Sequence, residues 1–162
     1  MQNAYYAPYY KGADVEFIQR VSKTDLARHV RQVIRTVQRG HTAMIESHGE
    51  PEAAIIDIVD FHILRAVMRY YAYRPKIDVA SGLSDATVAS LADPQNRYDQ
   101  ILAHYLAGAI SLARTAELVG LPWLELRTRF LRLDVPLRTA PADLGEAQAD
   151  VEVAAAWTPP AQ

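Results

Sequence analysis

The stretch VSKTDLARHVRQVIRTVQRG, with HTAMIESHGEPEAAIIDI directly after it, constrains the fold more than any other part of this chain. From Ser22 onward Leu26, Val30, Val33, Ile34 and Val37 recur at helical spacing and form an apolar stripe. Arg28, Arg31, Arg35 and Arg39 recur at the same spacing. At about 100° per residue the two stripes fall on nearly opposite sides of one helix. One face can therefore be buried while the other carries a row of fixed positive charge, a surface suited to a polyanion.

The flanking residues set the limits of this helix. Ser22 is an N-cap residue, and Asp25 completes a box-like pattern while standing at the positive helix end. Gly40 is placed to stop the helix in the left-handed region. A strand is expected before it, Glu16 to Val21. Two more follow, Thr42 to Ser47 and Glu52 to Val59, joined by the turn residues His48, Gly49, Glu50 and Pro51. A second helix is expected from about Asp60, with Phe61, Leu64, Val67, Met68 and Tyr71 on its apolar face. The order is β-α-β-β-α. So small a unit buries little of its own surface, so a dimer is expected, with two basic helices related by a two-fold axis.

Residues 1–14 hold four tyrosines, Tyr5, Tyr6, Tyr9 and Tyr10, and read as a flexible arm. Residues 15–73 form the first domain and 74–96 a linker, with a short helix expected between Ser84 and Leu91. From 97 to 138 the pattern is helical again. Tyr98, Ile101, Leu102, Tyr105 and Leu106 form a stripe ending at Gly108. Ser111 caps LARTAELV, Gly120 breaks it, and Pro122 opens WLELRTRFLRL. Two helices joined by so short a glycine-containing turn read as a helix-turn-helix. Residues 139–162 form an acidic tail, expected to be disordered alone and able to order on a partner as an amphipathic helix.

Formal net charge is only −2, but it is unevenly spread. Residues 22–40 carry five Lys/Arg and one acid, and the tail carries four acids and no base. A basic front and an acidic end fit a nucleic-acid surface joined to an interaction segment. The absence of cysteine excludes disulfides and thiolate metal sites, and the five histidines show no metal-ligand spacing. No cofactor motif, catalytic pair, leader peptide or membrane span is read from the sequence. A cytoplasmic non-enzyme is the expectation, with no catalytic residue, no metal and no cofactor.

The first segment, from about Phe17 to Tyr71, resembles the Phd/YefM antitoxin family. The likeness rests on Val21-Ser22, Arg28, Gly40 and the hairpin AMIESHGEPEAAIIDI with Gly49 and Pro51. The family's turn is often basic, whereas Glu50 stands here, so no phosphate contact is expected from the turn. Gly108 to Pro136 resembles a small antitoxin family whose genes often neighbour PIN-domain toxins, through Ile110-Ser111-Leu112, Ala116-Glu117-Leu118, Gly120 and Val135-Pro136. Together the resemblances imply an α+β protein: a Phd/YefM-like dimerisation unit followed by a mostly α helix-turn-helix domain. They imply an antitoxin of a type II toxin-antitoxin system that represses its own operon.

The implied partners are operator DNA, a cognate toxin such as a PIN-domain ribonuclease, and a second copy or a higher even oligomer. Lys23, Thr24, Arg28, Arg31 and Arg35 are the DNA candidates of the first half, and Arg127, Thr128, Arg129 and Arg132 those of the second. Leu144, Val151, Val153 and Trp157 in the tail are the toxin candidates. Two other readings stay open: a stand-alone DNA-binding regulator, and an interaction adaptor that binds no DNA.

Overall fold

The computed structural model describes residues 18–138. The tyrosine arm and the acidic tail, with Leu144, Val151, Val153 and Trp157, lie outside them. The protein is α+β, with one three-stranded sheet and six helices among the described residues. The elements are β1 (Ile18–Ser22), α1 (Lys23–Gln38), β2 (Thr42–Ser47), β3 (Glu50–Ile55), α2 (Ile58–Tyr73), α3 (Asp85–Ala89), α4 (Pro94–Leu106), α5 (Leu112–Val119) and α6 (Trp123–Arg132). They fall into two compact units that divide after Phe61, and α2 runs through the division.

In the first unit β1 and β2 pair in parallel, with Val21 beside Ile45, and α1 makes the crossover between them. β3 returns antiparallel to β2, giving the order β1-β2-β3. Val33 and Val37 of α1 close onto Val21, Ala43 and Ile45 of the sheet, with Leu26 and Ile55 at the margin. Seven side chains are a small core, and two of the five residues of the expected α1 stripe take no part in it. Val30 and Ile34 stay 50% and 40% exposed. The helix also bends. His29 has φ −127° and ψ 30°, which divides α1 into a short leading segment and a longer one that carries Arg31, Arg35 and the core valines.

The hairpin differs from the expected four-residue turn. His48 and Gly49 both have positive φ, 53° and 81°, as a two-residue hairpin of the twist-matched kind requires. Glu50 and Pro51 therefore already belong to β3. The register shifts once, because Ile45 pairs with Ala53 while Glu46 pairs with Pro51, leaving Glu52 as an extra residue in a β-bulge. β3 ends at Ile55, before the expected Val59. Asp57 then accepts from the Val59 N–H at 2.9 Å and starts α2 two residues before Asp60.

The second unit is helical. α5 packs against both α4 and α6. Its core is built from Ile101, Leu102 and Tyr105 of α4, Ala113 and Ala116 of α5, and Leu126 and Phe130 of α6. The small alanines let α5 approach its neighbours, and the Tyr105 and Phe130 rings lie 5.3 Å apart. Ser111 caps α5 by accepting from the Arg114 N–H at 3.0 Å, and Gly120 ends it at φ 75°. Asp93 caps α4, so this helix starts at Pro94 rather than Arg97. The stretch 74–96 contains α3, pinned by Arg114, whose guanidinium donates to Asp85 at 2.7 Å and to the Leu83 carbonyl at 3.3 Å.

Behind α6 the chain is held by one buried hydroxyl. Tyr105 donates to the Pro136 carbonyl at 2.9 Å and accepts from the Arg138 N–H at 3.2 Å. The Arg138 guanidinium donates in turn to the Ile110 carbonyl at 2.8 Å.

Candidate nucleic-acid interface

A row of cations at helical spacing binds an anion only if its charges are not already spent. Of the six Lys/Arg among the described residues of the first unit, two are spent. Arg20 is paired with Glu46 at 2.8 Å across β1 and β2, and Lys23 is paired with Glu52 of the bulge. Arg28, Arg31, Arg35 and Arg39 are exposed and have no ion-pair partner among the described residues. After the bend at His29, Arg31, Arg35 and Arg39 lie on the side of α1 away from Val33 and Val37. Arg28 stands before the bend, so the row is continuous in sequence but changes direction in space.

The start of α1 is a poorer anion site than its sequence suggests. Ser22 caps the Asp25 N–H at 3.0 Å, and its hydroxyl donates to Asp25 Oδ2 at 2.7 Å. The Asp25 carboxylate thus already sits at the positive helix end, where a phosphate would bind. Glu52 adds a second acid beside Lys23. Its carboxyl is held below the ordinary 4.5, first by the hydrogen bond from Lys23 and then by that residue's charge, so the acid stays ionised at neutral pH. Thr24 is exposed on the same turn. Of the residues expected from the sequence, Arg28, Arg31 and Arg35 offer free charge, Arg39 joins them, and Lys23 offers charge only when Glu52 releases it.

Glu52 is the residue that sequence reasoning missed. It is the one charged side chain in the run PEAAI, but its link to Lys23 depends on a register shift that no local pattern announces.

The second unit presents a mixed face. Arg127 and Thr128 of α6 are exposed between Leu124 and Leu131, which are 41% and 52% exposed. Arg132 is half-buried. The expected DNA contact from Arg129 is corrected by the fold. This residue is 8% exposed, and its Nε and Nη2 donate to Glu125 Oε1 at 3.0 and 2.8 Å. With Leu126 and Phe130 it faces the helical core, because positions three and four residues apart share a helix side. An exposed α6 surface with two leucines and one free arginine suits apolar contact at least as well as phosphate.

An open cavity of about 180 Å³ lies between α2 and α4, lined in part by Tyr70, Tyr73 and Ile77. Its charged residues, Arg69 and Asp99, are paired with each other at 3.1 Å. Among the described residues no group of three His, Asp or Glu is arranged to hold a metal, and no helix is long and apolar enough to cross a membrane. No protein-family model, curated protein or solved structure matches the chain.

Proposed function

We propose that the chain is a dimeric DNA-binding repressor of antitoxin type, which holds operator DNA against the arginine row of α1. The observation that carries this reading is the contrast within one small unit: Arg20 and Lys23 are neutralised by acids of the sheet, while Arg28, Arg31, Arg35 and Arg39 are exposed and have no ion-pair partner among the described residues. Unpaired arginines on a rigid helix lose little on meeting a phosphate and gain from the release of condensed counterions.

In this reading α1 supplies the affinity and the second unit supplies a scaffold, with Arg127 and Thr128 as the secondary contacts. The acidic tail takes the toxin. That assignment is supported by the resemblance of the two sequence segments to antitoxins and by the tail's four acids without a base. No catalytic step is proposed.

Fluorescence anisotropy of the full chain tests the reading, on duplex from just upstream of its own gene and on an unrelated duplex, each at 50 and 200 mM salt. Selective binding that weakens steeply with salt is the expected result. Equal and weak binding to both duplexes would overturn it in favour of an adaptor. Co-purification with the product of the adjacent gene separates an antitoxin from a stand-alone regulator.

A further inference from the structure

Among the described residues the longest exposed apolar stripe belongs to α2. Phe61, Leu64, Met68 and Tyr71 follow one another at intervals of three, four and three residues, the a/d spacing by which one helix meets another. Phe61 is 43%, Met68 71% and Tyr71 50% exposed, and Leu64 is half-buried. The other side of the helix is already employed. Ile63 and Ala66 are buried, and His62 and Arg69 reach Gln95 and Asp99 of α4. No charged side chain interrupts the stripe from Phe61 to Tyr71, although Arg65 and Arg69 lie in the same span.

We propose that this stripe is the seam of an antiparallel homodimer, in which α2 packs against α2 of a second copy. The proposal rests on the dimer reading above and assigns it a surface. Two features favour a second copy as the occupant, and a third sets the strength of the contact. The stripe is self-complementary: across a two-fold axis Leu64 faces Met68 and Phe61 faces Tyr71. Charge matches only in the antiparallel sense. Asp57 precedes the start of one helix and Arg74 follows the end of the other, while Arg65 meets Val67 rather than its own copy. A parallel pair would bring both Arg74 side chains to one end. The four side chains expose roughly 400 Å² per copy, so a pair would cover about 800 Å², the size of a weak or transient contact rather than of an obligate dimer.

The test uses the full chain and its lack of cysteine. Sedimentation velocity should give a dimer of the 18.1 kDa chain, and Met68→Glu should weaken self-association at least a hundred-fold with unchanged circular dichroism. Leu64→Cys and Met68→Cys chains should form a disulfide-linked dimer when mixed and oxidised, and neither should do so alone. This second readout stands if the glutamate variant fails to fold. A parent chain that is monomeric at tens of micromolar would end both the dimer reading and the seam. A Met68→Glu variant that stays dimeric would spare the dimer reading and overturn the seam. Disulfide linkage of Met68→Cys with itself would overturn the antiparallel arrangement.

Discussion

In the proposed dimer, replacing Arg35 by Ala removes from each copy one cation that has no ion-pair partner among the described residues, without touching the core, because Arg35 lies on the exposed side of α1 away from Val33 and Val37. If all four free arginines of both copies meet phosphate, log affinity should fall against log salt with a slope of about −7, at about 0.9 per contact on duplex DNA. Between 50 and 200 mM that is a loss of about ten-thousand-fold. Arg35→Ala takes away one contact per copy, so the slope should flatten to about −5.5. Arg20→Ala is the matched control, since Arg20 is already paired with Glu46, and its slope should stay at the parent value. Anisotropy titrations at five salt concentrations measure all three slopes. Equal slopes for the parent and Arg35→Ala would refute the argument that unpaired arginines on α1 are the phosphate contacts.

Other substitutions test neighbouring parts of the structure. Glu52→Gln should free Lys23, remove an acid from the edge of the interface and tighten DNA binding a few-fold at low salt; unchanged affinity would show that the start of α1 takes no part. The same ion pair predicts a pH dependence. Because the folded-state pKa of Glu52 is lowered, its contribution is fully present above the ordinary 4.5 and is lost as pH falls through the lowered value, so Lys23→Ala should move the NMR titration of Glu52 back up toward 4.5. Tyr105→Phe should cost about 1–2 kcal/mol by leaving the Pro136 carbonyl and the Arg138 N–H without their buried partner. In a melting experiment that is a fall of roughly 4–8 °C for each kcal/mol. Arg129→Met should leave DNA affinity and its salt slope unchanged, since this guanidinium is turned inward onto Glu125; a flatter slope would return Arg129 to the interface.

What could be read from the sequence was what is decided within a turn or two of chain. Ser22 and Ser111 cap their helices because a hydroxyl there reaches an N–H three residues on. Gly40 and Gly120 take positive φ where the helices stop, and the alternation of Ala43 and Ile45 places both on the buried side of β2. The part of the arginine row after the bend, Arg31, Arg35 and Arg39, is also local, since its spacing keeps it away from the core valines, whereas the bend at His29 that sets Arg28 apart could not be read from spacing. Only the tertiary structure decided which charges are free. Lys23 is neutralised by Glu52, 29 positions later in the chain, through a bulge that adds one residue to β3. Arg129 needs just one helical turn to reach Glu125, yet its burial depends on neighbours outside that turn. Helical periodicity marks a side of α6 as polar or apolar without saying which neighbour will cover it. Spacing fixes direction around one helix, whereas burial and ion pairing depend on partners that register and packing bring together.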